Sequence, residues 1–363
     1  MKKVLLAGYY GENNIGDEAI AEALIKELKR RGYEVLMLSG DRVTSSQLYG
    51  VEAYNRQRLQ DMKTAIKSCD FVILGGGSLI QDVTSTYSLW YYTGFINLCR
   101  IMGKHIYIAY QGIGPITKKT NELITKITLN RSKKLWIRDE ISIDTLREIG
   151  VVKPNITLSS DAVFMLNPPS RDQISVLLAK AGIRTEDGRP IIGISPRPWG
   201  TQDKAGVFAK IADECINRFN AKIVFYAFHK NEDVKYINDI CSRMTNRAYI
   251  VADSYLPSEI MGMMGAMTLN IGVRLHSLIF SAKMGVPLLG VSYDPKIDGF
   301  LDMLGMSPVC TYSELSKEQI MPAVSWIMKN TFPVDNMLNA INDFEKLTIR
   351  SLDEILLESE MEG

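Results

Sequence analysis

The sequence alternates short apolar runs with stretches of helical periodicity, and this alternation occurs twice along the chain. In the first half, apolar residues recur at helical spacing from Ile15 to Arg31, between two apolar runs. The paired prolines of Asn167–Ser170 interrupt the pattern, because proline is compatible with neither a helix interior nor a central strand. The alternation then restarts. The predicted strands are Val4–Gly8, Glu34–Leu38, Phe71–Leu74, His105–Ala109, Leu135–Ile137, Ile156–Leu158, Pro190–Ile194, Lys222–Tyr226, Tyr249–Val251, Met267–Asn270 and Pro287–Gly290.

Strands that alternate with helices predict parallel sheets with right-handed crossovers. Two such units in series predict an α/β fold with two Rossmann-like, doubly wound domains that face a cleft, the architecture of the GT-B glycosyltransferases. We expect an N-terminal domain over residues 1–167 on the acceptor side and a C-terminal domain over 171–330 on the donor side. Residues 331–363 contain an amphipathic helix, which we expect to pack back on the domain junction.

Composition excludes several classes of protein. The net charge is +1, so the protein as a whole has no strong attraction to nucleic acid. No apolar stretch is long enough to span a bilayer, and the N-terminal apolar run is too short for a signal peptide. The five cysteines form no CxxC pair, which favours reduced thiols in a cytoplasmic protein. With only three histidines, a metal centre is not expected, and no cofactor is predicted.

In open parallel sheets, ligands bind beyond the carboxyl ends of the strands. The glycines of the loop from Gly8 to Glu18 fit neither the dinucleotide fingerprint nor the P-loop. The loop is either a capped turn before a helix or an acceptor-binding loop. Three glycines in a row, Gly75–Gly77, indicate a need for bare backbone and favour a ligand-facing loop before a helix. Asp82 is either a general base for a sugar hydroxyl or a solvated acid in the first helical turn.

Basic residues follow several of the predicted strands. Arg138 either binds a carboxylate or phosphate or forms an ion pair with Asp139 or Glu140. Arg274 and His276 follow a strand at the start of a helix, which favours a proton-transfer role for the histidine over a structural one. Together with Arg197 and Lys296, these cations suit a small substrate with two anionic groups. The sequence offers no defensible pairing of a serine or cysteine nucleophile with a histidine.

The same segments carry a family resemblance. The motifs GYYGENNIGDEA, GGGSLIQD, QGIGP, RDEIS, ISPRPW, GVRLHS and YDPK occur in this order. The chain resembles the polysaccharide pyruvyltransferase family from about residue 1 to about residue 330. It is particularly similar to the S-layer-anchoring cell-wall polymer branch called CsaB.

The resemblance implies a GT-B-like fold and an enzyme with phosphoenolpyruvate as donor substrate. The acceptor would be an N-acetylmannosamine residue of a lipid-linked cell-wall polymer precursor, and the product a 4,6-linked pyruvate ketal with release of phosphate. A lipid-linked acceptor would bring this cytoplasmic enzyme into peripheral contact with the inner face of the plasma membrane. The expected site residues are His276 and Arg138 for catalysis, Arg274, Leu275, Arg197, Lys296 and Ser277 for the donor, and Tyr10, Asn14, Asp17, Gly76, Gly77, Ser78 and Asp82 for the acceptor.

Two other functions remain open at this stage. A GT-B glycosyltransferase that uses a nucleotide sugar would need an acid for the ribose, and Asp294 or Asp298 would serve. A non-catalytic module that binds a sugar or an anion would tolerate the loss of His276. The acceptor's base stays open among Asp82, Glu12 and Asp17, as do the acceptor's exact sugar, the ketal stereochemistry and the oligomeric state.

Overall fold

A computed structural model describes residues 2–83, 85–252 and 255–361. The chain forms two compact units. The N-terminal domain comprises the residues up to Glu12, Asp17–Leu166 and the residues from Asp343 onward. The C-terminal domain comprises Asn13–Gly16 and Asn167–Asn342.

The N-terminal domain contains a seven-stranded parallel sheet in the order β3-β2-β1-β4-β5-β6-β7. The central strands β1, β4 and β5 are nearly continuous apolar runs, as expected for a parallel sheet with both faces covered. The strands are β1 (Lys3–Ala7), β2 (Glu34–Ser39), β3 (Glu52–Asn55), β4 (Phe71–Gly75), β5 (His105–Gln111), β6 (Lys134–Ile137) and β7 (Asn155–Leu158). The helices are α1 (Ile15–Arg30), α2 (Arg42–Tyr49), α3 (Leu59–Ser68), α4 (Thr86–Ile101), α5 (Lys119–Leu129) and α6 (Glu140–Glu148), followed by a 3-10 helix at Ala162–Met165. The first two residues of α1, Ile15 and Gly16, are assigned to the C-terminal domain.

The C-terminal domain contains a six-stranded parallel sheet in the order β10-β9-β8-β11-β12-β13. Its strands are β8 (Ile191–Ser195), β9 (Lys222–Tyr226), β10 (Tyr249–Val251), β11 (Leu269–Gly272), β12 (Leu288–Ser292) and β13 (Cys310–Thr311). Its helices are α7 (Arg171–Lys180), α8 (Ala205–Phe219), α9 (Lys230–Arg243), α10 (Pro257–Met264), α11 (Leu275–Lys283), α12 (Pro295–Met303) and α13 (Lys317–Ile327).

The last helix, α14, runs from Val334 to Met361. Its residues up to Asn342 belong to the C-terminal domain and those from Asp343 onward to the N-terminal domain. In the N-terminal domain, the Glu354 carboxylate accepts a hydrogen bond of 2.7 Å from Lys134 Nζ, and Phe344 packs on Phe164 with ring centres 5.3 Å apart.

The predicted α/β fold with two parallel-sheet domains is confirmed, and all eleven predicted strands exist within a few residues of their predicted bounds. Two edge strands were missed. β3 has the sequence EAYN and lacks an apolar run, and β13 has only two residues. In the part of the chain that the structure describes, no helix combines the length and apolarity needed to cross a membrane.

Candidate active site

Arg138 lies at the centre of a buried polar cluster in the N-terminal domain. It follows β6, and its Nη1 donates a hydrogen bond of 3.2 Å to Asp161, its Nε one of 3.1 Å to Asp139, and its Nη2 one of 3.0 Å to Ser78 Oγ. Burial opposes the charge of the guanidinium, but the carboxylates of Asp139 and Asp161 outweigh it and raise the pKa of Arg138. The cluster thus joins the ends of β4, β6 and β7.

The ion pair between Arg138 and Asp139 is the structural alternative that the sequence suggested for this arginine. Asp161 was missed by sequence reasoning, although its position just beyond β7 is the signal that could have found it. Because two carboxylates face one guanidinium, the cluster fixes the orientation of Arg138 more than it adds a net positive charge.

The glycine triplet needs its glycines for two reasons. Gly76 and Gly77 have φ angles of 71° and 80°, a backbone conformation that residues other than glycine rarely adopt. A Cβ on Gly77 would lie 2.9 Å from Asp17 Oδ1, so the loop also lies close to α1. The expected helix start directly after the triplet is wrong, because α4 begins only at Thr86. The Gly76 N–H donates to the Ala109 carbonyl at 2.9 Å.

Tyr10 is buried in the N-terminal domain, and its hydroxyl donates a hydrogen bond of 2.5 Å to the Gly75 carbonyl. Burial raises the pKa of this phenol well above its usual value, and the charge of Asp17 adds to the effect. This hydrogen bond therefore helps to hold the glycine triplet in place. A contact with the acceptor, as predicted, would require this hydrogen bond to break.

Asp82 is buried, and its carboxylate accepts four hydrogen bonds. The donors are Thr117 N at 2.7 Å, Thr117 Oγ1 at 3.0 Å, Lys118 N at 3.0 Å and Asn121 Nδ2 at 2.8 Å. Burial favours protonation, but these hydrogen bonds outweigh it and lower the pKa of Asp82. Of the two alternatives that the sequence left open for Asp82, the solvated acid in a first helical turn is wrong, since Asp82 is buried and precedes α4. To act as a base, Asp82 would have to lose one of these hydrogen bonds. Its lowered pKa also makes the carboxylate a weak base.

In the C-terminal domain, Arg274 is the residue before α11 and is held by a buried carboxylate. Its Nη2 donates to Asp233, which also accepts the backbone N–H groups of Phe228 at 3.0 Å and His229 at 2.8 Å. The Nε of Arg274 is buried and has no hydrogen-bond partner among the described residues. Asp233 therefore connects the end of β9 to the start of α11.

His276 lies in the first turn of α11 and packs directly on Gly16. A Cβ on Gly16 would lie 2.1 Å from His276 Nδ1, so only glycine fits beside this imidazole. Gly16 belongs to the segment Asn13–Gly16. Ile15 N donates to the Phe228 carbonyl at 2.8 Å, and Asn14 forms an antiparallel β-bridge with His229. Asn14, predicted on the acceptor side, thus lies in the C-terminal domain.

Arg197 and Lys296 meet at one aromatic ring. The guanidinium of Arg197, beyond β8, lies 4.6 Å from the ring centre of Tyr293 and 4.8 Å from that of Trp199. Its Nη1 donates to the Tyr293 hydroxyl. The Lys296 ammonium lies 5.6 Å from the same Tyr293 ring and 3.3 Å from Asp294. The two cations thus share one edge of the domain.

The other two predicted donor residues lie deeper. Ser277 is buried, and its hydroxyl donates a hydrogen bond of 2.7 Å to the Arg274 carbonyl, so it holds the start of α11. Leu275 is the first residue of α11 and is also buried. The first N–H groups of a helix have no acceptor within it, which makes this helix start suitable for an anion.

The arrangement in the C-terminal domain suits a small anion. Arg197, Arg274 and Lys296 follow β8, β11 and β12, which are neighbours in the sheet. No group of three or more side chains that could hold a metal ion occurs within residues 2–83, 85–252 and 255–361. The five cysteines are free, four of them are buried, and burial raises the pKa of the Cys69 thiol to about 11. Such thiols are poor nucleophiles at neutral pH.

Two parallel-sheet domains with polar side chains beyond the strand ends define a Rossmann-type protein of the GT-B class. Anabaena Alr3699/HepE, solved in complex with UDP-glucose, matches this fold with a TM-score of 0.65 and 13% identity over 100% of both chains. A putative UDP-N-acetylglucosamine 2-epimerase from Listeria monocytogenes matches with a TM-score of 0.66 and 11% identity, over 99% of this chain and 98% of that one. At such identities the likeness shows the fold alone.

A family model described as polysaccharide pyruvyl transferase matches residues 14–295, and the chain belongs to this family. The amylovoran biosynthesis protein AmsJ of Erwinia amylovora is 22% identical over 366 residues, covering 93% of this chain and 84% of AmsJ. The resemblance seen in the sequence motifs is confirmed at the level of the family. The cell-wall polymer branch and the roles of the individual site residues stay predictions.

Proposed function

We propose that the protein transfers the pyruvyl group of phosphoenolpyruvate to two hydroxyls of one sugar as a 4,6-ketal and releases phosphate. Membership of the pyruvyl transferase family supports the transferred group. The observation that carries the proposal is the set of cations beyond β8, β11 and β12, with His276 in the first turn of α11. Phosphoenolpyruvate is an activated form of pyruvate. It carries a carboxylate and a phosphate, so this set of cations suits it.

In this proposal the C-terminal domain binds the donor. Arg197, Arg274 and Lys296 bind its two anionic groups, and the start of α11, at Leu275, adds backbone N–H donors. Arginine side chains match the planar carboxylate with two parallel hydrogen bonds. Arg138, fixed by Asp139 and Asp161, is proposed as a second catalytic residue.

The proposed chemistry needs one proton donor and two hydroxyls. His276 protonates the methylene carbon of phosphoenolpyruvate, which makes C2 electrophilic. One sugar hydroxyl adds to C2, and its proton passes to His276, which is thereby protonated again. The second hydroxyl then attacks C2, the bond from C2 to the phosphate oxygen breaks, and the last proton leaves with the phosphate. Holding both hydroxyls in place lowers the entropic part of the barrier, and fixed cations stabilise the developing charge.

The proposed acceptor is N-acetylmannosamine in a lipid-linked cell-wall polymer precursor. In that case the enzyme acts in the cytoplasm, at the inner face of the membrane, and its product serves S-layer anchoring. No metal or cofactor takes part in the proposed reaction.

The test is to incubate the protein with phosphoenolpyruvate and an N-acetylmannosaminyl disaccharide and to analyse the products by mass spectrometry. We expect a product heavier by one pyruvate ketal, with one phosphate released per ketal. His276→Ala should abolish it, and His105→Ala, at an exposed histidine on β5, should not. No ketal, together with turnover of a nucleotide sugar, would establish the glycosyltransferase alternative instead.

A further inference from the structure

Arg56 is a partly buried cation surrounded by three tyrosines in the N-terminal domain. It follows β3 directly, and the carbon at the centre of its guanidinium lies 4.9 Å from the ring centre of Tyr9, 5.1 Å from that of Tyr91 and 5.8 Å from that of Tyr92. Tyr9 follows β1, whereas Tyr91 and Tyr92 belong to α4. The four side chains thus meet beyond the carboxyl ends of the strands, where ligands bind in such sheets.

The hydrogen-bonding capacity of this group is only partly used. The Arg56 side chain is 11% exposed, and its Nη1 lies 3.4 Å from the Gly8 carbonyl and 3.6 Å from the Glu12 carboxylate. Its Nε and the Tyr92 hydroxyl are buried, and neither has a hydrogen-bond partner among the described residues. Buried polar groups without partners destabilise a fold, and they often mark a functional site.

The charges of the group select the kind of ligand. Glu12, 24% exposed, disfavours a phosphate or carboxylate beside Arg56, and Arg56 disfavours a cation beside Glu12. A neutral ligand with several hydroxyls avoids both conflicts, because each hydroxyl can accept from the guanidinium and donate to the carboxylate. The partly exposed rings of Tyr9 and Tyr91 can cover the apolar C–H face of a pyranose, since a tyrosine combines an apolar ring with a polar tip, whereas the Tyr92 ring is buried. This chemistry is that of a saccharide.

We propose that Tyr9, Glu12, Arg56, Tyr91 and Tyr92 form a subsite that binds the saccharide acceptor. The proposal rests on the proposed function, for which an acceptor site is required. It adds to the N-terminal domain a group in which the Arg56 Nε and the Tyr92 hydroxyl have no hydrogen-bond partner among the described residues, although the Tyr91 hydroxyl already donates a hydrogen bond of 2.8 Å to the Arg56 carbonyl. By contrast, Tyr10 and Asp82 are already engaged in hydrogen bonds within the protein.

The test compares three substitutions with two controls in the full-length protein. Tyr92→Phe removes one oxygen, Glu12→Gln removes the carboxylate charge, and Arg56→Lys keeps the charge and loses the planar fork. The controls, Arg58→Lys and Glu52→Gln, alter exposed residues of the same types near β3. We measure KM for acceptor and for phosphoenolpyruvate, direct binding of the N-acetylmannosaminyl disaccharide by ligand-observed NMR, and the melting temperature.

Each of the three substitutions should raise the KM for acceptor about tenfold or more, with the KM for phosphoenolpyruvate and the controls unchanged. Tyr92→Phe should leave the melting temperature unchanged or raise it, because the hydroxyl has no partner among the described residues. A wild-type acceptor KM and wild-type disaccharide binding in Tyr92→Phe and Glu12→Gln would overturn the subsite, and so would a lowered melting temperature with equal effects on both substrates. If the wild-type protein binds the disaccharide, with binding weakened by these substitutions, but does not consume phosphoenolpyruvate, the proposed function fails while the subsite stands.

Discussion

At the scale of single residues, the pairing of Arg274 with Asp233 shows how a buried carboxylate positions a cation. Asp233 is fully buried, whereas the neighbouring Glu232 is 54% exposed and lies 3.5 Å from the same guanidinium. Removing one partner of a buried pair leaves an uncompensated charge, but removing a partner of an exposed pair has little effect. The two adjacent acids therefore form a natural comparison.

We predict that Asp233→Asn lowers the free energy of unfolding by about 3 kcal/mol and raises the KM for phosphoenolpyruvate at least tenfold. Glu232→Gln should change both by little. Urea denaturation and initial rates at varied phosphoenolpyruvate concentration measure the two effects. Equal behaviour of the two variants would show that Asp233 does not position Arg274.

Asp82 provides a pH-dependent test at the same scale. Its pKa is lowered from the ordinary value of 3.8, so its charged form stabilises the fold. This stabilisation is complete above the unfolded-state pKa and is lost as the pH falls through the folded-state pKa. We predict that Asp82→Asn lowers the free energy of unfolding by about 2 kcal/mol at pH 7, and that the difference from wild type shrinks as the pH falls below about 4. Denaturation curves at several pH values measure this, and a difference that stays constant down to acid pH would contradict it.

At the scale of structural elements, the segment Asn13–Gly16 determines how the imidazole of His276 is placed. Backbone hydrogen bonds hold this segment on the loop that follows β9, and Gly16 lies against the imidazole ring of His276. A methyl group at Gly16 would have to displace the imidazole, since 2.1 Å is far below any van der Waals distance. Small displacements of a catalytic group are costly to the rate.

We therefore predict that Gly16→Ala lowers kcat about 100-fold and has a smaller effect on the melting temperature than on the rate. Gly94→Ala is the matched control, because a Cβ on this glycine of α4 meets nothing within 4 Å. It should keep full activity and raise stability slightly, as alanine favours a helix over glycine. Full activity in Gly16→Ala would remove His276 from the reaction or show that its ring has room to move.

The elements also show what the sequence could and could not reveal. The central strands were predictable because both faces of a parallel sheet are buried, which forces continuous apolar runs. β3 was not, because an edge strand with the sequence EAYN carries no such run. Arg56 was missed for a related reason. Its importance depends on tyrosines distant in sequence, such as Tyr91, whose hydroxyl donates to the Arg56 carbonyl across 35 positions.

The candidate site divides in the same way. Arg138, Arg274 and His276 could be proposed as candidates because each follows a predicted strand, and a position beyond a strand end can be recognised in the sequence. Their partners Asp161 and Asp233 were not, since hydrogen bonds between distant segments leave no local pattern. For the same reason the sequence could not distinguish a saturated carboxylate such as Asp82 from an available one.

At the scale of the whole molecule, the chain returns to its first domain at the end. From Asp343 onward, α14 belongs to the N-terminal domain, where Thr348 accepts a hydrogen bond of 3.2 Å from Tyr110 and Glu354 pairs with Lys134. Ile355 is fully buried, whereas Leu357, two residues on, is 60% exposed. The last turns of α14 therefore contribute buried side chains to the N-terminal domain.

We predict that Ile355→Ala lowers the free energy of unfolding of the N-terminal domain by about 2–4 kcal/mol, because it removes buried methyl groups and leaves a cavity. Leu357→Ala should change it by less than about 0.5 kcal/mol. Calorimetry with and without phosphoenolpyruvate is expected to separate the two domains, since the proposed binding of this ligand by the C-terminal domain would raise the transition of that domain. The substitution at Ile355 should lower the temperature of the other transition, which is that of the N-terminal domain. If it lowered the ligand-sensitive one instead, the last turns of α14 would be stabilising the C-terminal domain, contrary to the structure.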